Sequence, residues 1–145
     1  MADGVNGGDG HVRSAFFVFG VAALRSGKHT TAAAAFVKHL QAHAGDVKAL
    51  LNLGQSYAAL SRHTLAADAF EQALALQPRN TDAAANAAAC CIILDNATRA
   101  AEVCRQALAV DPECSMALHN LNTALRMMGQ LDQALELSWS HVQGA

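Results

Sequence analysis

Residues 47–80 read VKALLNLGQSYAALSRHTLAADAFEQALALQPRN, and this stretch decides the fold. Its apolar side chains recur every three or four residues in two runs of about 13 residues each, which is the spacing of one face of an α-helix. The first run contains Leu50, Leu53, Tyr57 and Leu60, and the second contains Ala66, Ala69, Phe70, Ala73 and Leu76. Pro78 follows the second run, and the residue before a proline is pushed out of the helical region. The stretch therefore predicts two helices joined by a short turn near Ser61.

The same pattern returns along the chain with a fixed period. Pro78 and Pro112 lie 34 residues apart, and a period of this length is typical of repeat proteins. The period divides the chain into four units, which are residues 13–46, 47–80, 81–114 and a shorter 115–145. The apolar pattern of each unit predicts one pair of helices. The predicted fold class is therefore all-α, an α-solenoid of about four helix-turn-helix repeats. The first and last units match less well, as expected for end repeats that face different neighbours.

The composition agrees with an all-α fold and argues against several function classes. The chain is 52% hydrophobic but only 15% charged and 5% aromatic, which is too apolar for disorder and too poor in aromatic residues for many strands. The net charge is −2 without a cluster of Lys and Arg, so we expect neither a nucleic-acid nor a membrane partner. Residues 1–12 hold four of the ten glycines and are expected to form a flexible leader before the array at 13–145.

The longest apolar run, residues 15–24, is too short to cross a bilayer. A secretory signal is an alternative interpretation of this run, but the preceding segment carries Asp3 and Asp9 instead of a basic start. The four cysteines form no CxxC motif, so free thiols in a cytoplasmic protein are expected.

The residue types at fixed positions of the 34-residue unit resemble the tetratricopeptide repeat family. In the second unit the resemblance is carried by Leu50, Leu53, Gly54, Tyr57, Ala66, Phe70, Ala73 and Pro78, of which only the first, usually tryptophan in the family, departs. The resemblance covers about residues 13–143. It implies a right-handed superhelical segment whose first helices line a concave groove. It also implies a non-enzymatic adaptor that binds another protein, and no nucleophile–base pair or phosphate-binding loop is visible.

Three asparagines occupy the same position of successive first helices. Asn52, Asn86 and Asn120 are spaced at intervals of 34 residues, which would align them as a ladder along the groove. The pattern is similar to the asparagine ladder in the tetratricopeptide domain of O-linked N-acetylglucosamine transferase. A side-chain amide offers an acceptor and donors that match a peptide group, so we expect contact with the backbone of an extended peptide. The alternative is that each asparagine bonds within the array or to water.

Apolar anchors must accompany the asparagines, because each hydrogen bond contributes only roughly 0.5–1.5 kcal/mol net. The resemblance places the following further residues on the groove: Phe17, Val21, Leu51, Gln55, Ile93, His119, Thr123 and Met127. Chaperone adaptors of the family grip a C-terminal carboxylate through basic residues at certain groove positions. Those positions hold Phe17, Val21, Asn52, Asp82 and Asn86 here. The basic residues are missing, so a receptor of that type is not expected.

Small residues recur where the two helices of a repeat approach each other. Gly20, Gly54 and Ala88 are expected to face Ala32, Ala66 and Ala100 across the helix pair. Cys91 and Cys104 also fall on inward positions and are expected to act as small core residues. His39 and His43 are four residues apart and could hold a metal, but no neighbouring carboxylate or cysteine is expected to join them. We therefore expect no metal and no cofactor.

The last predicted helix carries a second apolar stripe. Leu135, Trp139 and Val142 stand where the interior repeats have Ala67, Glu71 and Leu74, or Ala101, Arg105 and Leu108. Solenoids need polar end faces for solubility, so we expect this stripe to pack against another surface. The alternative function is therefore a self-associating structural module, or a subunit fragment of a larger assembly, with no peptide in its groove. A homodimer through the open ends is one form of it.

Overall fold

The computed structural model describes residues 14–144, and the expected leader at 1–12 lies outside them. The described part contains eight α-helices, which are α1 (Ala15–Arg25), α2 (His29–Ala42), α3 (Val47–Ala59), α4 (His63–Leu76), α5 (Thr81–Ile93), α6 (Ala97–Val110), α7 (Ser115–Met127) and α8 (Leu131–Gly144). They pack as four consecutive pairs, and each second helix also packs on the first helix of the next pair. The prediction of an all-α solenoid of helix pairs is confirmed.

The turn inside each pair has one residue with a positive φ at the same repeat position. These residues are Gly27, Ser61, Asp95 and Gly129, with φ angles of 75°, 59°, 62° and 76°. Glycine adopts this left-handed conformation at little cost, whereas an L side chain is strained there. The repeat therefore imposes one backbone shape on four different sequences.

Side chains and prolines mark the joints between pairs. Asp46 accepts a hydrogen bond from the Ala49 backbone N–H at the start of α3, and Asn80 accepts one from Ala83 at the start of α5. Such caps satisfy backbone donors that have no partner inside the helix. Pro78 and Pro112 follow the C-caps of α4 and α6, as the sequence predicts.

The close approach of the paired helices depends on phenylalanine rings. A Cβ atom placed on Gly54 would lie 2.5 Å from the Phe70 ring, and one on Gly20 would lie 2.9 Å from the Phe36 ring. The nearest neighbours of these two glycines are therefore phenylalanine rings, which the sequence analysis did not name there. Ala32 and Ala66 are fully buried, but the rings fill the space above the glycines.

A buried histidine ties the first three helices together. His39 Nε2 lies 2.8 Å from an Asp46 carboxylate oxygen, and its Nδ1 lies 2.5 Å from Ser14 Oγ. Ser14 caps α1 and Asp46 caps α3. The ring also stacks on His43 at 4.7 Å between centroids. The expectation that no carboxylate joins this histidine pair is wrong, because Asp46 folds back onto His39.

A charged pair links the second helices of neighbouring repeats. The guanidinium of Arg99 donates to both carboxylate oxygens of Glu71, at 3.0 and 2.6 Å, and to Glu102 at 3.1 Å. The hydrogen bond to Glu71 is the main reason that the pKa of Arg99 is raised. The pair is partly exposed, so its contribution to stability is modest.

Candidate peptide-binding groove

The first helices of the first two repeats enclose a cavity between them. It has a volume of about 440 Å³ and is lined by Phe17, Val21, Leu24, Arg25, Lys48, Leu51 and Asn52. Phe17, Val21, Leu51 and Asn52 are among the groove residues that the sequence predicts. A smaller cavity of about 300 Å³ continues along α1 beside Phe17 and Val21. The first helices thus present a continuous concavity at this end of the array.

The walls of this cavity differ in chemistry. Phe17 packs edge-on against Phe36, with 5.7 Å between ring centroids, and tilts over His39 at 5.2 Å. Arg25 and Lys48 are exposed at its rim. The cavity therefore combines an anchored apolar wall with two cations and one side-chain amide.

The three asparagines do not share one environment. Asn52 and Asn86 are half-buried. Asn120 is only 8% exposed, and its side-chain amide donates to the backbone carbonyl of Ala85 at 3.1 Å. That bond joins the first helices of the third and fourth repeats. For Asn120, the alternative interpretation of a bond within the array is the one that the structure supports.

The remaining predicted groove residues lie on α3, α5 and α7. Gln55, Ile93 and Met127 are exposed. His119 and Thr123 line a second cavity of about 380 Å³, between α7 and α8. The Thr123 hydroxyl donates to the His119 carbonyl at 3.1 Å, so Thr123 satisfies a backbone acceptor of its own helix.

The buried cysteines behave as core residues. Cys91 and Cys104 lie in the same apolar cluster as Leu50 and Leu125. Burial raises the pKa of Cys104 to about 12 and that of Cys90 to about 11, so these thiols stay protonated near neutral pH. Among residues 14–144, no three His, Cys, Asp or Glu side chains are grouped closely enough to hold a metal ion. None of the described helices is long and apolar enough to cross a membrane.

Two features of this surface escaped the sequence analysis. Leu24 lines the first cavity together with Leu51, and this proximity depends on how two repeats stack. Asn122 donates to the Ala134 carbonyl at 3.0 Å and to the Ser138 hydroxyl at 2.8 Å. A signal for Asn122 was present, because it occupies the position of Gly20 and Gly54 in the repeat.

The stacked helix pairs and their concave surface define a helical-repeat protein. The chain belongs to the tetratricopeptide repeat family, since the family model matches residues 17–81 and 51–115. Members of this family are generally protein-interaction modules built on a scaffold that is typically not catalytic. No curated protein matches the chain in sequence.

Several solved structures share the fold at low sequence identity. The segment of MamA from residue 41 to the end, from Desulfovibrio magneticus RS-1, is 21% identical with a TM-score of 0.80, covering 88% of this chain and 72% of that chain. A tetratricopeptide repeat protein from Parabacteroides merdae is 20% identical with a TM-score of 0.77, covering 84% and 48%. The first such domain of Spaghetti (RPAP3), bound to the HSP90 peptide SRMEEVD, is 19% identical with a TM-score of 0.73, covering 79% and 90%. These likenesses show the fold alone.

Proposed function

We propose that the protein is a non-enzymatic adaptor that binds an extended peptide segment of another protein along its first helices. The observation that carries the proposal is the cavity of about 440 Å³ between α1 and α3. A cavity of this size accommodates an apolar side chain of a peptide, and in the proposed complex Asn52, which lines the cavity, contacts the peptide backbone. Concave apolar sites with a few directed polar groups are typical of binding sites.

The asparagine contacts of the proposal rest on Asn52 and Asn86. Both side chains are half-buried and stand at the same position of consecutive first helices. Asn120 has a structural role instead, because its amide is bonded to Ala85. Two amides contribute roughly 1–3 kcal/mol at about 0.5–1.5 kcal/mol each. An affinity near micromolar needs about 8 kcal/mol, so apolar contacts at Phe17, Leu51 and Ile93 must supply the rest.

The charges at the rim favour a peptide with an acidic group near its apolar anchor. Arg25 and Lys48 both line the cavity, and complementary charge increases the rate of association and selects the partner. Spaghetti (RPAP3), which shares the fold, binds a peptide with acidic residues. In this chain, Arg25 and Lys48 do not occupy the positions of the basic residues that bind a C-terminal carboxylate in the family's chaperone adaptors. We therefore propose that the ligand is an acidic segment and not specifically a chain terminus.

Selection from a phage-displayed library of random peptides tests the proposal. The immobilised protein should enrich peptides that combine a large apolar residue with nearby Asp or Glu. Replacing both Asn52 and Asn86 by alanine should weaken the binding of an enriched peptide roughly 5- to 150-fold, which is the same 1–3 kcal/mol. Isothermal titration calorimetry measures the change.

The chain offers a matched control for these substitutions. Gln72 and Gln106 are also 34 residues apart but are exposed on second helices. Replacing both by alanine should leave peptide affinity unchanged. If the asparagine pair and the glutamine pair have equal effects while both variants fold, the amide contacts are wrong. If no peptide is enriched, the proposed groove function is wrong.

A further inference from the structure

Among the described residues, both ends of the array expose several large apolar side chains. At one end, the head face consists of the α1 residues Ala15, Phe16, Val18, Phe19 and Ala22, and all five are exposed. At the other end, the tail face consists of the α8 residues Leu131, Leu135, Ser138, Trp139 and Val142, also all exposed. Exposed apolar patches of this kind mark interaction sites.

The repeat shows what covers the tail face in the interior of the array. Leu135 is 68% exposed, but Ala101, one repeat earlier, is 1% exposed. Val142 is exposed, but Leu74, two repeats earlier, is buried. The interior residues are covered because the first helix of the next repeat packs there: α5 packs on α4 and α7 packs on α6. The surface that fits the tail face is therefore a first helix.

The head face is the complementary half of the same interface. Phe19 is 58% exposed, whereas Leu53, at the same position of α3, is 7% exposed. Ala15 and Ala22 are exposed, whereas their equivalents Ala49 and Ser56 are fully buried. In the interior, the preceding repeat covers these positions. Among the described residues, α1 therefore exposes the face that the preceding repeat covers in an interior first helix.

The tail face also borders a groove, which lies where the first helix of a following repeat would pack. Cavities of about 380 and 340 Å³ follow the seam between α7 and α8 and share Asn122, Arg126 and Ser138. In the interior, α5 packs on α4, and Phe70 of α4 clusters with Ala87 and Cys90 of α5.

Residue sizes exchange sides between one interior junction and the two ends. At the junction of the second and third repeats, the large Phe70 on the second helix clusters with the small Ala87 on the next first helix. The equivalents at the ends are the small Ser138 and the large Phe19. The two pairs have similar total volumes, and packed interfaces tolerate volume-conserving exchanges best.

The hydrogen bonds of the backbone carbonyls at this seam are also compatible with this exchange of residues. Inside the array, Asn120 donates to the carbonyl of Ala85. At the ends, the corresponding residues are Val18, which has no side-chain donor, and His119. The His119 carbonyl already accepts from Thr123 within its own helix. A buried carbonyl needs a hydrogen-bond donor. Because Thr123 already donates to the His119 carbonyl, the apolar Val18 can pack against this carbonyl without leaving it unsatisfied.

We propose that the tail face binds the head face of a second copy of this chain. The α1 helix of one copy occupies the α7–α8 seam of the other and continues the solenoid across the junction. Such an interface joins two different surfaces, so every assembly keeps one free head at one end and one free tail at the other and grows as an open chain. This goes beyond peptide binding and gives a head-to-tail form to the self-association that the sequence leaves open as the alternative function.

Size-exclusion chromatography with light-scattering detection measures the average mass of the wild type and of two variants, and this tests the junction. Phe19→Asp disables the head face and Leu135→Asp disables the tail face. The wild type should gain average mass continuously over about a hundredfold concentration range reaching about 200 μM. Each variant alone should be a monomer. An equimolar mixture of the two should form a dimer of twice the single-chain mass and grow no further, because one intact head meets one intact tail.

Leu76→Asp is the matched control, since Leu76 is an exposed leucine on α4, away from both end faces. It should assemble like the wild type. Circular dichroism should show that all three variants keep wild-type helix content, because the replaced side chains are exposed. A monomeric wild type at every concentration overturns the proposal, whatever else covers the two faces. So does a head variant that still dimerises while the tail variant does not, since that indicates a symmetric tail-to-tail contact.

Discussion

The second and fourth repeats have helices of equal length but hold them together differently. Both consist of helices of 13 and 14 residues. In the second repeat, Gly54 lets the Phe70 ring lie against the backbone of α3. In the fourth, Asn122 and Ser138 occupy those two positions and form a hydrogen bond of 2.8 Å. One backbone geometry is thus held by ring packing in one repeat and by polar contacts in the other.

The difference shows how position in the array determines what a repeat needs. The second repeat has neighbours on both sides, so its side chains complete a continuous apolar core, whereas α8 packs only on α7 among the described helices. An interior repeat gains stability from two interfaces and an end repeat from one. We therefore expect changes in the second repeat to act on the whole array and changes in the fourth to act locally.

The largest effect is expected for Gly54→Leu. A side chain there meets the Phe70 ring within 2.5 Å at its first carbon, and overpacking of this kind costs about 1–3 kcal/mol. Urea unfolding should show this loss in the free energy of unfolding. Gly45→Leu is the control, because a Cβ at Gly45 has no neighbour within 4 Å. Equal losses in the two variants would contradict ring packing as the cause.

A smaller and local effect is expected for Asn122→Ala. The change removes the hydrogen bonds to Ala134 and Ser138. Because the Ala134 carbonyl keeps the Ser138 hydroxyl as a donor, the expected loss is roughly 0.5–1.5 kcal/mol in all. Amide hydrogen exchange should accelerate in α8 and remain nearly unchanged in α3 and α4. Faster exchange in all helices alike would mean that the fourth repeat unfolds only together with the others.

A stabilising change is expected at the turn of the second repeat. Ser61 has a φ of 59°, while the fourth repeat has glycine at the same place. Relief of this left-handed strain in Ser61→Gly should exceed the entropy cost of glycine and raise the free energy of unfolding by about 0.5–1 kcal/mol. The reverse change, Gly129→Ser, should lower it. A thermal melting series that shows no gain in Ser61→Gly argues against strain at this turn.

The smallest effect concerns Cys104, which occupies the position of Phe70 and Ser138 in the third repeat. Burial raises its pKa from 9.0 to about 12, so the unfolded chain loses this proton first as the pH rises. Stability is therefore unaffected well below pH 9 and declines between pH 9 and about 12. At pH 9 the unfolded thiol is half ionised, and the loss is about 0.4 kcal/mol.

Comparison with Cys104→Ala isolates this thiol from Cys90 and Cys91, whose pKa values are also raised by burial. The stability of the wild type relative to this variant should fall as the pH passes from 8 to 10. A constant difference over that range would show that Cys104 ionises as easily in the folded protein as in the unfolded chain.

The sequence predicts the helix pairs because the 34-residue period and the helical spacing are local properties. It does not predict which side chain fills a gap between helices, since that depends on the partner across the pair. Asn120 illustrates the limit. It reaches the carbonyl of Ala85, whereas the residues at the position of Ala85 in the first two repeats are the larger Phe17 and Leu51. Asn52 and Asn86 therefore remain half-buried, although all three asparagines look alike in the sequence.

The most direct test of the groove is an amide NMR titration with a peptide enriched from the random library. Peptide binding along the first helices predicts that the largest chemical-shift changes fall in α1, α3 and α5, including Leu51, Asn52 and Asn86. The second helices α2, α4 and α6 should change little on their exposed faces. Shift changes concentrated on those faces, or confined to α8, would contradict the proposed groove.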